Sequence, residues 1–491
     1  VSDAHDPLQP PVIAASGFRE YDLRWRYPAE VNLPGMAEVG LGIATQMRVR
    51  GIEPRIVVGC DFRSYSLAVK QALILGLVRG GIAVSDIGTV VSPLAYFARD
   101  HLAIGPVAMV TASHNPNGWT GVKLGFTPPL THGQLEMAEL RDIILSGNAA
   151  PAPGGSWLPV SGLREIWLDG LAQGPRLRRP LRVVCATGNG TAGAFAPALL
   201  ERLGATVIPL HTDLDAGFPH YNPNPESLQM LDDMARAVRE SGADLALGFD
   251  GDGDRCGVVD DRGNEVPADK MGLILARGWA ADHPGAHFIA DVKSTGLFAT
   301  DPVLRAAGAT VEYGPTGHSY MKQRLRDTGA LAGFEKSAHY YLNPPLGRGY
   351  DCALTIAVHI LRRLDCTGLR LSDLVAELPQ SFTSPTMAPA CPDDRKYEVV
   401  RRLTERLRDM QSAGERLAGR RITEIVTVNG ARVMLDHGGW SLVRASSNTP
   451  NLVVVCESPQ SPADLRDIFA ATDALLRAEP DVGAYDQVIP A

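Results

Sequence analysis

Apolar and polar positions along the chain fall into a unit that recurs three times. Residues 55–59 (Arg-Ile-Val-Val-Gly) form a short apolar run, followed by a helical stretch over 67–78, Gly80-Gly81 and a second run, Ile82-Ala83-Val84. The pattern returns at 182–186 (Arg-Val-Val-Cys-Ala), with the polar turn Thr187-Gly188-Asn189-Gly190, a helix over 194–203 and then Gly204-Ala205-Thr206-Val207. It returns again at 288–291 (Phe-Ile-Ala-Asp), with Ser294-Thr295-Gly296, a helix over 297–307 and Gly308-Ala309-Thr310-Val311. Glycine takes the left-handed conformation that stops a helix, so each unit reads as strand, turn, helix, stop and strand. Three related α/β domains are predicted, at 1–153, 154–263 and 264–375, with the Pro/Gly-rich stretch 149–155 marking the first boundary.

The segment 376–491 reads differently. Three prolines within 382–392 set it apart, and a long helical stretch over 395–413 comes next. Short strands are predicted around 430–435, 440–444 and 452–457, and a helix over 463–476. Strands in a meander with helices to one side predict a smaller α+β domain.

Composition narrows the functions open to such a chain. Its 491 residues suit three or four domains, and a hydrophobic content of 45% supplies apolar surface for several cores. The net charge of −8, with acids and bases interspersed, argues against a nucleic-acid binder but permits a local basic pocket for an anion. No apolar run approaches a membrane span, the N-terminal residues do not resemble a signal peptide, and no obligate protein partner is implied. The seven dispersed cysteines, odd in number and without a CxxC pair, are expected to be buried thiols in a reducing cytoplasm.

Asp250-Gly251-Asp252-Gly253-Asp254-Arg255 places three carboxylates in six residues. Glycine between the acids lets the backbone curl so that alternate side chains converge, and their repulsion falls when a divalent cation sits among them. An EF-hand also begins Asp-x-Asp-x-Asp, but it needs glycine at its sixth position and a bidentate acid at its twelfth, between two helices. Here those positions are Arg255 and Asp261, and the flanks 243–249 and 256–259 read as short buried strands. A three-carboxylate loop at a strand end is a better match to Mg²⁺ acting beside substrate phosphates.

Three further clusters sit at predicted strand ends, and one lysine on a strand edge. Thr111-Ala112-Ser113-His114-Asn115-Pro116 comes after the apolar run 107–110, placing Ser113 where chemistry occurs in α/β folds. A serine hydrolase is one reading of the Ser-His pair, but the chain has no Gly-x-Ser-x-Gly elbow there. Lys123 lies on a strand edge just beyond. Glu335, Ser337 and His339 alternate after the apolar run 331–334 and could grip a polyol. Arg444, Ser446, Ser447, Asn448 and Thr449 bring a guanidinium, hydroxyls and an amide together after a strand, a set suited to a phosphate dianion.

Taken together, the TASHNP, DGDGDR, GFEKSAH and RASSNTP segments, in this order, resemble the motifs of the α-D-phosphohexomutase family, nearest to its phosphomannomutase/phosphoglucomutase branch. The resemblance runs from Phe18 to the C-terminal loop. It implies three tandem related α/β domains plus a smaller C-terminal α+β domain around a central cleft. It implies that Ser113 carries a phosphoryl group and that Asp250, Asp252 and Asp254 hold Mg²⁺ with an oxygen of phospho-Ser113. It implies further that Arg255 neutralises the phosphoryl group, that Glu335 and Ser337 bind sugar hydroxyls, and that Arg444, Ser446, Ser447, Asn448 and Thr449 bind the non-reacting phosphate. Tyr21, Arg24, Lys123, Lys293, His318 and His339 match cleft-lining positions, with Lys123 and the histidines, His114 among them, as candidates for proton transfer.

The implied reaction is interconversion of mannose 6-phosphate and mannose 1-phosphate through a hexose 1,6-bisphosphate, with glucose phosphates as possible co-substrates. A glucose-preferring member is the alternative within the family, and a metal-dependent phosphomonoesterase is the alternative outside it. A non-catalytic sugar-phosphate binder would lack Ser113 or an aspartate, and all are present. The chain departs from the common family form in three places. The stretch between Pro116 and Lys123 differs, Ala338 stands where glycine is usual, and Ser447-Asn448 replaces a Gly/Asn-Thr pair.

Overall fold

The computed structural model describes residues 9–447 and 449–489, so the expected phosphate donor Asn448 lies outside the described residues. The chain forms two compact units. The first holds the described residues up to Ala268 together with Ser337–Asp373; the second holds Asp269–Lys336 and the chain from Leu374 onward.

In the first unit, strands β1 (Leu23–Arg26), β2 (Arg55–Cys60), β3 (Ala83–Thr89), β4 (Val107–Val110), β5 (Trp119–Gly125) and β6 (Ser156–Pro159) form a sheet in the order β1-β5-β4-β2-β3-β6. β2 runs parallel to β3 and β4, whereas β5 is antiparallel to β4 and β1, so the sheet is mixed. Helices α1 (Leu33–Val49), α2 (Ser66–Arg79) and α3 (Ser92–His101) accompany it. The predicted first unit is present as β2–α2–β3. The hydrophobic pattern assigns no helix to the residues of α1, because three glycines within it weaken the helical period. Those glycines serve packing: a Cβ on Gly40 would lie 2.2 Å from Leu73 O, and one on Gly76 would lie 1.9 Å from Ala37 O. Backbone therefore meets backbone where α1 crosses α2, above a core that includes Trp25, Val39, Val58, Leu73 and Val110.

A second sheet in the same unit comprises β7 (Arg182–Ala186), β8 (Thr206–Leu210), β9 (Leu245–Phe249), β10 (Cys256–Val259) and β11 (Glu265–Val266), in the order β11-β10-β9-β7-β8. β7 is parallel to β8 and β9, while β9 and β10 form an antiparallel hairpin. The acidic loop is the connection of that hairpin, and both flanking strands are fully buried, as the apolar runs predict.

The second unit contains the parallel strands β12 (His287–Asp291), β13 (Thr310–Gly314) and β14 (Ala332–Phe334). The helix predicted over 297–307 is in fact two, Leu297–Thr300 and Pro302–Ala306. Pro302 has no N–H for the helical ladder, and Asp301 Oδ1 accepts from Val303 N and Leu304 N, each at 3.0 Å, restarting the helix as its cap. β15 (Tyr340–Leu342) belongs to the first unit.

The chain beyond Leu374 forms a sheet of β16 (Phe382–Thr383), β17 (Arg416–Leu417), β18 (Arg420–Val426), β19 (Ala431–Leu435), β20 (Trp440–Ala445) and β21 (Leu452–Ser458), ordered β16-β21-β20-β19-β18-β17. Its pairings are antiparallel, and helices Lys396–Ala413 and Pro462–Arg477 pack on its core. The pattern misses β18 because Ile422 is its one fully buried residue and charged positions occupy much of the rest. Among the described residues no helix is long and apolar enough to cross a membrane. All seven cysteines are free thiols; Cys366 is exposed, not buried as expected, because it lies near the polar end of helix Ala353–Thr367.

Candidate active site

The first unit brings the serine loop and the acidic loop into direct contact. β4 ends at Val110, and Asp61, just past the end of the parallel neighbour β2, ties down the turn beyond it. Asp61 Oδ2 accepts from Thr111 Oγ1 (2.8 Å) and Ala112 N (3.2 Å), and Thr111 Oγ1 in turn accepts from Ser113 N (2.8 Å). Arg63 donates to the main-chain oxygens of Ser113 (3.0 Å), Asn115 (2.5 Å) and Pro116 (3.1 Å). Held this way, Ser113 has φ +51°, a left-handed conformation that costs a non-glycine residue of order 1 kcal/mol or more. Its hydroxyl donates to Asp250 Oδ2 at 3.1 Å, 137 residues along the chain, and lies 3.2 Å from His114 Nδ1.

The glycines of the acidic loop have separate jobs. Asp254 N and Arg255 N both donate to Asp250 Oδ1, at 3.1 and 3.2 Å, closing the turn, and Gly253 adopts φ +73° within it. A Cβ on Gly251 would sit 2.6 Å from Ser113 O. Backbone oxygen cannot swing away as a side chain can, so Gly251→Ala is expected to cost about 1–3 kcal/mol and to lower turnover. A wild-type denaturation midpoint together with wild-type activity would contradict this.

Asp250, Asp252 and Asp254 are fully buried, and one oxygen from each lies within 4.8 Å of the others. Among the described residues Asp252 Oδ1 has no hydrogen-bond partner, and Asp254 Oδ1 lies 3.6 Å from His339 Nε2. Buried carboxylate oxygens left open in a cluster fit a hard divalent cation. Burial first, and then the charges of Asp254 and Asp252, push the Asp250 carboxyl well above its ordinary value. Asp252 Oδ2 accepts from Ser92 Oγ (2.5 Å), at the start of α3, and from Lys123 Nζ (2.7 Å). Lys123 also donates to Asp254 Oδ2. Burial alone would lower the lysine pKa, but the two aspartates outweigh it and hold the ammonium well above its usual range.

Arg255 is engaged by Glu226 Oε2 at 3.1 Å and lies 3.9 Å from Asp250 Oδ2. Arg24 donates to Asp22 Oδ2 and, through Nη1, to Asn115 Oδ1 at 2.7 Å; Tyr21 is buried beside Asp22. His114 is kept neutral, chiefly by burial and then by Arg255 and Arg24. His339 Nε2 lies 3.8 Å from Asp351 Oδ2, and its Nδ1 is 3.3 Å from Ser337 Oγ. Ala338, between them, has φ +69°, so its methyl sits in a conformation favouring glycine.

In the second unit Asp291 gathers the expected site residue Lys293 with Ser294, Thr316 and Lys336, whereas Ser337, expected to bind sugar beside Glu335, belongs to the first unit. Asp291 Oδ1 accepts from Ser294 Oγ (2.6 Å) and Lys336 N (3.3 Å), and its Oδ2 accepts from Thr316 Oγ1 (2.7 Å) with Lys293 Nζ at 3.9 Å. Glu335 Oε1 accepts from Gly317 N at 2.5 Å, next to His318, whose Nδ1 is 3.3 Å from Ser319 Oγ. Arg444 and Ser446 are buried at the end of β20. Arg444 Nη1 donates to Ala445 O, and Ser446 Oγ is 2.7 Å from Thr449 Oγ1; Ser447 is half-buried. Pattern reading missed Asp61, Arg63, Ser92, Glu226, Asp291 and Asp351. Asp61 and Asp291 carry the one available signal, a carboxylate at the C-terminal end of a buried parallel strand.

Comparison with known proteins covers nearly the whole chain. The phosphoglucomutase/phosphomannomutase α/β/α domains I, II and III match residues 15–148, 165–263 and 267–382, and the C-terminal domain of the same family matches 390–475. A phosphomannomutase/phosphoglucomutase of Pseudomonas putida is 33% identical over 479 residues, covering 97% of this chain and 98% of that protein. A phosphoglucomutase of Neisseria gonorrhoeae is 31% identical, over 90% of this chain and 92% of its own. The crystal structure of a phosphoglucomutase/phosphomannomutase family protein from Burkholderia thailandensis superposes with a TM-score of 0.85 at 27% identity, covering 98% of this chain and all of that one. Three α/β/α domains with an antiparallel C-terminal domain define a phosphohexomutase, an isomerase of phosphosugars. This chain belongs to the phosphoglucomutase/phosphomannomutase family.

Proposed function

We propose that the protein is a Mg²⁺-dependent, cytoplasmic phosphohexomutase that interconverts mannose 6-phosphate and mannose 1-phosphate, with the glucose phosphates as a second substrate pair. The observation that carries this reading is the Ser113 hydroxyl, fixed in a strained turn and bonded to Asp250 of the buried triad of carboxylates. The same reading divides the chain into domains at 1–153, 154–263, 264–375 and 376–491. Both substrate pairs are carried because the Pseudomonas relatives are named for both sugars.

Phospho-Ser113 would give its phosphoryl group to a sugar hydroxyl. The Oγ–P bond breaks, a new O–P bond forms on the sugar, and the hydroxyl proton leaves. The resulting hexose 1,6-bisphosphate then returns its other phosphoryl group to Ser113. Asp250, Asp252 and Asp254 would hold Mg²⁺, which when bound neutralises phosphoryl oxygens and the departing Oγ. His339 is assigned to receive the sugar proton, and neutral His114 is placed to serve Ser113 Oγ; His318 is the other candidate. Lys123, held as a cation between two carboxylates, is assigned to charge neutralisation with Arg255, not to proton transfer. Tyr21, Arg24, Lys293, Glu335 and Ser337 would bind the sugar phosphate. Arg444, Ser446, Ser447, Asn448 and Thr449 would hold its non-reacting phosphate.

Purified protein with Mg²⁺ and a trace of hexose 1,6-bisphosphate is expected to convert mannose 6-phosphate to the 1-phosphate, monitored by ³¹P NMR. Accumulation of free phosphate alone would favour a phosphomonoesterase. Competition with an equal amount of glucose 6-phosphate tests the sugar: consumption of glucose well ahead of mannose overturns the stated preference and leaves the mutase reading intact.

A further inference from the structure

The first unit contains a pocket of about 150 Å³ whose walls, Tyr96, Arg99, Asp100, Pro129, Arg348 and Tyr350 among them, include none of the residues assigned to phosphoryl transfer. Arg99 lies in the last turn of α3 and is 1% exposed. Its Nε donates to Gly105 O at 2.6 Å and its Nη1 to Leu130 O at 3.0 Å, whereas its buried Nη2 has no hydrogen-bond partner among the described residues. Among the described residues no carboxylate forms an ion pair with Arg99. The nearest acid in sequence, Asp100, instead faces Arg348 Nη1 at 3.8 Å. A guanidinium taken out of water without a counter-charge is costly, and an orphaned donor adds to the cost. Burial pushes the Arg99 pKa down to about 10, against the opposing pull of Tyr96 and Asp100.

We propose that Arg99 and Arg348 form a binding site for a small organic carboxylate in this pocket, separate from the phosphoryl-transfer machinery. Charge selects the class. Two guanidinium groups and one carboxylate leave a single positive charge, which a monoanion closes; a phosphate dianion would overshoot it and meet Asp100. Size agrees, because the volume is that of about five waters, or a carboxylate bearing a short carbon chain. The proline and tyrosine walls suit that chain, while Arg348, 56% exposed and stacked 5.3 Å from the Phe97 ring, stands at the mouth.

Propionate is a suitable probe, titrated into the full-length protein at constant ionic strength with chloride as the replaced anion. Saturation-transfer NMR and thermal melting are expected to report saturable binding that chloride does not reproduce. Arg348→Ala, at an exposed residue, should weaken it about tenfold or more, the scale of one charge-assisted hydrogen bond. Arg99→Lys keeps the charge but not the Nη2 donor and should do the same; if that variant does not fold, Arg348→Ala decides alone. Arg444→Ala should leave propionate binding unchanged. A response equal to that of chloride, one retained in Arg348→Ala, or one abolished by Arg444→Ala overturns the proposal.

Discussion

Replacing Ser113 by alanine is expected to reduce turnover by about three orders of magnitude or more, the scale seen when a covalent nucleophile is removed. The phosphoryl group has no other attachment point in the proposed reaction, so the phosphate found on wild-type protein incubated with hexose 1,6-bisphosphate should be absent by intact-mass measurement. Stability should change little. Asp250 Oδ1 keeps its bonds from Asp254 N and Arg255 N, and neither the bond from Arg63 to Ser113 O nor that from Ala112 N to Asp61 involves the hydroxyl. A variant retaining half of its turnover would remove Ser113 from the chemistry, and a variant that unfolds would show that the hydroxyl is structural.

Lys123→Met carries the largest expected effect on stability. The lysine donates to Asp254 Oδ2 and shares Asp252 Oδ2 with Ser92. Removing one partner from a buried charge cluster costs roughly 3–5 kcal/mol, because the carboxylates left behind stay out of water. That loss should appear in full in EDTA and shrink with saturating Mg²⁺, since carboxylates freed of the competing ammonium bind the cation more tightly and the variant gains more from it by mass action. The pH dependence has a definite sign. With Lys123 present, Asp254 is held well below its ordinary pKa, so its contribution is present above the unfolded-state value and is lost as pH falls through the folded one. Without the lysine, burial and mutual repulsion raise the carboxylates, and protonation then favours the folded state. The difference in Tm between wild type and variant should therefore narrow from neutral pH towards the carboxylate range. Equal melting in EDTA, or a gap that Mg²⁺ leaves untouched, would refute the counter-charge role.

Strand–helix–strand units were legible because buried parallel strands are continuous apolar runs bounded by glycine, as at Arg182–Ala186 and His287–Asp291. α1 was not, since the glycines that let it touch α2 also blur its period. β18 was not, because one buried isoleucine is too little alternation to find. In the site, the acids of 250–254 announced themselves through density and spacing. Lys123 was visible as a residue but not as the partner of Asp252 and Asp254, a pairing that depends on two sheets coming together. Arg63 was invisible because its partners are carbonyl oxygens, which leave no mark on a side-chain pattern.

The Arg63 contacts bear on how one loop can serve an enzyme that alternates between two covalent forms. A turn shaped by its own phosphate would have to reorganise each time the group departed and again when it returned. Arg63 grips the main chain at Ser113, Asn115 and Pro116 and leaves the Oγ out of the arrangement. The shape of the turn is thus indifferent to its cargo. The protein left bare in mid-reaction is already formed to take the phosphoryl group back, from whichever end of the sugar next presents one.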